Sequence, residues 1–192
     1  HPLQFWAAGK KPGTAPAVEK YVVQDIKKAR QLADLVVVSF HWGAELMETP
    51  KKYQKDLAHL CIDSGADMVL GHHPHILQGL EIYKGKLIAY SLGNFAFGSR
   101  SRKCTESVIL KVSMEATGRR RPEQTGTEAA YGAGRLRQIQ LIPLCVDNNK
   151  IFFQPTVLTG QPGYKILQNL ARLSRGLGLV FEPTDSTAVV SF

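Results

Sequence analysis

Two short apolar runs, each preceded by an amphipathic segment, limit this chain to a layered fold of helices and strands. Residues 17–33 and 51–63 repeat apolar side chains at helical spacing. The segments that follow them, DLVVVSF at 34–40 and DMVL at 67–70, are short and aliphatic. Such continuous runs are typical of strands that are buried on both faces. Helix, strand, helix, strand in this order predicts the parallel sheet of an α/β fold.

The second half of the chain has the more open alternation of antiparallel strands. Residues 80–93 contain two apolar stretches on either side of a Lys-Gly pair, which predicts a β-hairpin. Residues 106–115 and 136–146 alternate in the same way, and KIFFQPTVL at 150–158 indicates one more strand. The fold class predicted from the pattern is therefore α/β, with parallel strands and helices first and antiparallel strands after them.

Two further segments complete the predicted organisation, which we interpret as one domain over residues 1–192. A C-terminal helix is expected at 163–175, with its leucine and isoleucine side chains facing inward. Residues 117–134 are polar, rich in glycine and contain three consecutive arginines. Segments of this composition lack the apolar surface that ordering requires, so we expect a flexible basic loop.

The chain is basic, with a formal net charge of +8. An excess of this kind favours anionic partners, such as phosphates, acidic polymers or lipid headgroups. Nucleic acid is not favoured, because no aromatic residues are interleaved with the basic clusters and no binding motif is present. No apolar run approaches the ~20 residues that a membrane span requires.

The three cysteines, Cys61, Cys104 and Cys145, are far apart in the sequence. They form no CxxC pair, so neither a zinc knuckle nor a disulfide framework is indicated. Cys61 falls on the apolar face of the segment 51–63, where we expect it to be a small core residue.

Four histidines follow the two predicted parallel strands. His41 comes directly after the first strand, and His72, His73 and His75 come after the second strand and Gly71. The carboxyl ends of neighbouring parallel strands meet at one edge of a sheet, where ligands bind. Neutral imidazole is the commonest side-chain ligand of transition metals. The pattern therefore predicts a metal site, with Gly71 allowing the backbone to turn sharply beside the ion.

Which of the three clustered histidines would bind the metal stays open. On an extended segment alternate side chains share a direction, which favours His73 and His75 as ligands. His72 would then point elsewhere, or would orient a ligand through its second ring nitrogen. His59 lies off the apolar face of its helix and is expected to be exposed.

Three motifs in fixed order carry a resemblance to a known family. They are HWGAE at 41–45, GHHPH at 71–75 and YSLGNF at 90–95. Together with their flanking runs, they resemble the C-terminal half of the poly-gamma-glutamate capsule biosynthesis family of the CapA type. That family is part of the calcineurin-like metallophosphoesterase superfamily. The resemblance extends from about residue 17 to about residue 175.

The resemblance implies a fold and a set of site residues. The fold would be the C-terminal half of a four-layer metallophosphoesterase-like domain. His41 and two of the clustered histidines would be metal ligands, and His41, Glu45 and Asn94 would be candidate catalytic residues. The implied cofactors are divalent metal ions, namely manganese, zinc or iron, with two ions in the complete protein.

One departure from the superfamily pattern concerns the remaining ligands. The superfamily takes them from a Gly-Asp motif and an Asn-bearing loop nearer the N-terminus, and this chain contains neither a Gly-Asp nor an Asn-His pair. The chain also begins at His1 without an initiator methionine. We therefore expect an incomplete, C-terminal part of the domain that is inactive by itself, since bridged metal pairs need carboxylates.

The family resemblance implies a role in the synthesis or export of an anionic polymer of the cell envelope. One interpretation is a metal-dependent phosphoesterase-like hydrolase that acts on a phosphoester or polymer substrate. The alternative is a degenerate, non-catalytic envelope module that binds an anionic polymer; a purely structural metal is a third. Other membrane proteins of capsule synthesis would be partners. The expected location is extracytoplasmic, with a membrane anchor in the full-length protein.

Overall fold

The computed structural model describes residues 5–116 and 134–192 of the chain. The sequence breaks into twelve regular elements within this part. In chain order they are α1 (Glu19–Leu32), β1 (Val37–His41), α2 (Lys52–Asp63), β2 (Met68–His72), β3 (Leu80–Tyr83), β4 (Lys86–Ala89), β5 (Glu106–Ala116), β6 (Gly134–Cys145), α3 (Asn148–Ile151), β7 (Thr156–Val157), α4 (Gly160–Arg175) and β8 (Ala188–Ser191).

The strands form two sheets. The first has the order β1-β2-β4-β3, in which β1, β2 and β4 are parallel and β3 is antiparallel to β4. The second has the order β5-β6-β7, and β8 also pairs with β6; all of its pairs are antiparallel. The predicted α/β fold class is thus confirmed, and the arrangement is consistent with part of a metallophosphoesterase-like domain.

The predicted hairpin is formed by β3 and β4. Its two turn residues, Lys84 and Gly85, have φ angles of 48° and 74°. Two consecutive residues with positive φ are typical of a type I′ turn, whose twist matches that of the flanking strands. The Lys-Gly pair therefore determines the register of the hairpin, with Tyr83 opposite Lys86.

Alternate residues of β4 separate two apolar cores, one on each face of the first sheet. Ile88 and Tyr90 belong to the core that α1 and α2 cover. Leu87 and Ala89 belong to the other core, which also contains side chains of β6 and α4. The layers are therefore helices, first sheet, and then second sheet with α4. Cys61 is fully buried in the helix-side core, as predicted, and burial raises the pKa of its thiol to about 12.

The first strand differs from the prediction at its ends and in its burial. β1 begins at Val37 rather than Asp34, and Val37 is 47% exposed. Within the described residues β1 is the edge of its sheet, so only its helix-facing side chains are buried. An apolar groove lies along this edge, between β1 and the segment that precedes α1.

The strand predicted at 150–158 is wrong except for Thr156–Val157. Residues 148–151 form the short helix α3 instead, because the Asp147 side chain accepts a hydrogen bond from the Asn149 N–H at its start. In α2, Tyr53 is half exposed, and its hydroxyl accepts a hydrogen bond from the Gly43 N–H at 2.7 Å. The predicted C-terminal helix is present as α4, and it begins three residues earlier than expected.

The prediction that His59 is exposed is wrong. His59 is half-buried rather than exposed; its ring stacks on Tyr83 and its Nε2 lies 2.8 Å from Glu81.

The flexible basic loop predicted at 117–134 lies outside the described residues, apart from Gly134, which starts β6. Within the described ranges, no helix has the length and apolar character that crossing a bilayer would require.

A buried carboxylate joins the layers at the amino end of the parallel strands. Asp67, whose side chain is 1% exposed, accepts hydrogen bonds from the side chains of Arg30 in α1 and Lys86 in β4. It also accepts from the backbone N–H groups of Val36 at 2.9 Å and Gly134 at 2.8 Å. One side chain thus connects α1, the start of β1, β4 and the start of β6. Burial alone would raise the pKa of Asp67, but these hydrogen bonds outweigh it and lower the pKa.

We predict that replacement of Asp67 by alanine lowers the free energy of unfolding by about 3–5 kcal/mol, as expected for a broken buried ion pair. Because the folded-state pKa is lowered, the contribution of Asp67 is present above the unfolded-state value of about 3.9 and is lost as the pH falls through the folded-state value. Urea unfolding over a pH series measures both effects.

The matched control is Asp63→Ala, which removes an exposed carboxylate that pairs with Lys84. Exposed pairs contribute little to stability, so this variant should unfold at the same urea concentration as the parent chain. Equal losses in the two variants would show that Asp67 has no special role.

Candidate metal centre

The two histidine groups lie at the carboxyl ends of adjacent parallel strands, as the sequence predicts. β1 and β2 pair so that His41 lies opposite His72. Beyond the strands the pairing continues into the loops, because the Trp42 N–H donates to the His72 carbonyl at 3.0 Å and the Leu46 N–H donates to the Pro74 carbonyl at 2.9 Å. These bonds hold the loop after β1 against the loop after β2.

Gly71 has a different role from the predicted turn. It is part of β2 and is not among the glycines with a positive φ. A Cβ atom there would lie 2.1 Å from the Tyr90 carbonyl oxygen and 2.3 Å from the indole nitrogen of Trp42. That indole N–H donates to the same carbonyl at 3.1 Å. Glycine at this position is therefore required by the close approach of Trp42, which lies beneath the histidine loops.

The clustered histidines are directed by a turn and not by strand alternation. β2 ends at His72, and the two residues favoured as ligands have positive φ angles, 101° for His73 and 62° for His75. A φ of this sign is uncommon for residues other than glycine and often accompanies a functional site. The predicted pairing of His73 with His75 on one side is present, but the reason given for it was wrong.

One group of side chains in the described part of the chain has the geometry of a metal site. The potential ligand atoms of Glu45, His73 and His75 all lie within 4.8 Å of one another. Glu45 comes from the loop after β1 and the two histidines from the loop after β2, so the two loop contacts described above bring the group together. A set of two imidazoles and one carboxylate suits borderline ions such as zinc, iron or manganese.

Asn94 and Phe97 contact the ring of His75. The Asn94 Oδ1 atom lies 2.8 Å from His75 Nδ1, and Asn94 is buried. With a carbonyl oxygen as its partner, Nδ1 carries the ring proton and Nε2 keeps its lone pair for a ligand. The ring of Phe97 lies 4.7 Å from that of His75, between centroids. The family motif identified Asn94, whereas nothing in the sequence pattern identified Phe97.

Asn94 reaches the site through a tight crossing between the two sheets. The preceding residue, Gly93, has a φ of 79° and forms a bridge with Ser107 in β5. A Cβ atom at Gly93 would lie 2.7 Å from the Glu106 carbonyl oxygen. Both the positive φ and this close approach require glycine at the position before Asn94.

His41 lies next to the ligand group. Its ring centroid is 4.6 Å from that of His73, which in turn is 5.8 Å from that of His75. Desolvation of the ring lowers the pKa of His41, and the neighbouring imidazoles, His73 foremost, lower it further. A lowered pKa keeps the imidazole neutral at pH 7, the form that binds a metal or accepts a proton.

The structure separates the remaining histidines from this group. His72 is exposed at the end of β2, close to His41, and is not part of the three-residue group. His59 lies on α2, where it pairs with Glu81. Whether His41 or His72 joins Glu45, His73 and His75 as a ligand stays a prediction.

Comparison with known proteins identifies a protein family that matches this chain. Residues 2–99, just over half of the chain, match the family described as "Bacterial capsule synthesis protein PGA_cap". The match includes all the candidate site residues.

Three individual proteins are similar to the chain. "PGA biosynthesis protein CapA" of Bacillus subtilis is 39% identical over 121 residues, which cover 63% of this chain and 32% of that protein. "Capsule biosynthesis protein CapA" of Bacillus anthracis is 37% identical over 116 residues, or 58% and 28% of the two chains. A "Probable polyglutamine synthesis accessory protein" of Mycobacterium tuberculosis is 35% identical over 203 aligned positions, or 97% and 48%.

The chain spans between about a quarter and a half of the length of these relatives. The fold, the three motifs and the family match agree with one another: this chain belongs to the bacterial capsule synthesis family that includes the poly-gamma-glutamate proteins of the CapA type.

Proposed function

We propose that this chain provides the histidine part of a metal centre in a phosphoesterase-like hydrolase of capsule polymer biosynthesis. The observation that carries the proposal is the convergence of Glu45, His73 and His75 within 4.8 Å at the ends of two parallel strands. The names of the relatives, which refer to capsule and PGA biosynthesis, support the capsule polymer as the biological context.

The residues of the site have distinct proposed roles. Glu45, His73 and His75 would hold a divalent ion, which in such a centre activates water and stabilises charge on the substrate. Asn94 is a positioning residue, because it orients the His75 ring and fixes its proton on Nδ1. His41 is the candidate for a further ligand or for a proton acceptor, since its lowered pKa keeps it neutral.

A second ion would need ligands beyond the one group that the described residues form. Among the described residues, the three-residue group is the set of histidine, cysteine and carboxylate side chains close enough to hold a metal. Two ions a few ångströms apart require a bridging carboxylate to offset their repulsion. We therefore propose that a complete two-metal site forms only with a further part of the domain.

A second candidate function is binding of an anionic polymer without catalysis. It is favoured by the net charge of +8 and by the exposed cations Arg100, Arg102 and Lys103. Arg102 and Lys103 line a cavity next to the loop after β1, which Glu48 and Glu106 line as well. In this case the metal centre would be a structural remnant in an envelope protein. If the chain is part of a hydrolase, substitution of the metal ligands should change how the polymer is processed. If the chain only binds the polymer, the same substitutions should leave the polymer unchanged.

We predict that the chain binds one zinc or manganese ion and that the ligand group determines the affinity. Asn94→Ala removes a group that only orients a ligand and should weaken binding about 10- to 100-fold. Glu45→Gln, His73→Ala and His75→Ala should each weaken it at least as much. Isothermal titration calorimetry gives these affinities. Binding should also weaken in acid, because protonated imidazole cannot bind a metal.

Two histidine variants serve as controls for the titration. His59→Gln alters an imidazole outside the group and should leave the affinity unchanged. His72→Ala resolves the open choice among the clustered histidines, and we expect less than about a threefold change, since tenfold or more is typical of groups that orient or bind the metal. A large loss for His72 together with no loss for His73 would contradict the proposed ligand set.

We predict that the 192-residue chain alone does not hydrolyse a generic aryl phosphate diester at an appreciable rate. The reason is that a two-metal phosphoesterase depends on both ions for catalysis. The assay is product absorbance with saturating manganese or zinc, with His41→Ala as a control. Metal-dependent turnover that disappears in the control would show that this chain already contains a complete site.

A further inference from the structure

An unusual concentration of exposed phenylalanine lies beside the candidate metal centre. Four of the eight phenylalanines of the chain lie in two short segments, 95–103 and 148–153. All four are exposed, by 62% for Phe95, 50% for Phe97, 80% for Phe152 and 50% for Phe153. Large apolar side chains at this density on a surface mark an interaction site.

Hydrogen bonds join the two segments into one surface. The side-chain amide of Asn148, which is buried, donates to the carbonyl oxygens of Phe97 at 2.7 Å and Ser99 at 2.6 Å. The amide of the next residue, Asn149, donates to the carbonyl of Arg100 at 3.4 Å. We call residues 95–103 and 148–153 together the aromatic–basic ledge.

The ledge is also positively charged. It contains four exposed cations, Arg100, Arg102, Lys103 and Lys150, of which Lys150 pairs with Asp147 at the start of α3. The sequence pattern did not reveal the combination, because the Phe152–Phe153 pair is about fifty residues away from the basic cluster at 99–103. The fold brings the two together through α3.

The backbone presents the Phe152–Phe153 pair in an unfavourable conformation. Their φ angles are 48° and 66°, in the left-handed region that bulky residues rarely adopt. Two such residues in succession end α3, with Phe152 mostly and Phe153 half exposed to solvent. This conformation is evidence for a surface that binds a partner, because neither core burial nor backbone preference accounts for it.

We propose that the aromatic–basic ledge docks on an anionic lipid bilayer surface. Phenylalanine side chains bury in the boundary between headgroups and acyl chains, and nearby cations pair with anionic headgroups. Both components are present here. The adjoining carboxylate of Asp147 is buried and pairs with Lys150 at 3.3 Å, and Glu48 and Glu106 line a cavity together with Arg102 and Lys103. A nucleic-acid site is expected to be a groove with aromatic stacking platforms along it. The exposed Phe152–Phe153 pair lies instead at the end of a short helix.

The location of the ledge gives this docking a consequence for the metal centre. Phe97 belongs to the ledge and its ring lies 4.7 Å from that of His75. A bilayer bound to the ledge would therefore lie at the rim of the site, which would receive membrane-associated substrate. The inference does not rest on the metal proposal, since the ledge residues are not ligands.

Vesicle binding by the whole chain tests the proposal. The chain is sedimented with vesicles of phosphatidylcholine, with and without phosphatidylglycerol. The ledge variants are Phe152→Ser with Phe153→Ser, and Arg100→Gln with Arg102→Gln and Lys103→Gln.

The matched charge control replaces three exposed lysines of the first helix region by glutamine, at Lys20, Lys27 and Lys28. The matched aromatic control is Phe192→Ser, at an exposed position outside the ledge.

We expect the parent chain to bind anionic vesicles and to bind neutral ones much more weakly. Loss of three ledge cations should weaken binding about 100-fold, since each contributes about a factor of five near a membrane surface. Loss of the Phe152–Phe153 pair should weaken it about tenfold or more. The charge control should change binding much less than the loss of the three ledge cations, because those lysines lie on α1 and not on the ledge.

A depth measurement separates insertion from simple attraction. The fluorescence of the tryptophan introduced by Phe152→Trp should be quenched by brominated lipid in the vesicles. The fluorescence of the tryptophan introduced by Phe192→Trp should not be quenched. Equal effects of the two charge variants would show general attraction to a basic chain and would overturn the proposal. So would absence of vesicle binding by the parent chain, or tight binding of single-stranded RNA through the same ledge residues without vesicle binding.

Discussion

The buried carboxylate of Asp67 is the interaction on which the layers of this protein depend. It receives donors from a helix, from two strands of the first sheet region and from the start of β6 in the second sheet. Four donors to one carboxylate are needed because an unpaired charge in this environment would be strongly destabilising. The network holds the amino ends of the parallel strands in place, and the opposite ends of the same strands then bring the histidine loops together.

The histidine loops are supported from below by packing as well as by strand pairing. Trp42 fills the space that Gly71 leaves open and donates its indole proton to the Tyr90 carbonyl. The loop after β1 is thereby held at a fixed height over β2 and β4, with Glu45 within reach of the two histidines. Rigid support of this kind is what a metal site needs, because ligand positions must be held closely for tight binding.

The fold class and the meeting of the two histidine loops could be predicted from the sequence, since both depend on periodicity and on strand ends. Glu45 and Asn94 were named only through the family resemblance. The alternating helices and strands, the Lys84–Gly85 turn and the histidines at strand ends are local patterns with direct structural meaning. The short helix α3 was missed because its start depends on the capping side chain of Asp147 within an aromatic, strand-like run. The ledge and Phe97 were missed because they depend on contacts between distant segments.

The positive φ of His73 has a consequence for how this protein balances stability against chemistry. At 101°, this angle is one that glycine adopts freely and other residues adopt at a cost of about 1–3 kcal/mol. Glycine at position 73 would thus relieve strain and make the chain more stable, although it would remove an imidazole from the site. A family variant selected only for thermal resistance should therefore drift toward glycine here, and a variant that must keep its chemistry should not.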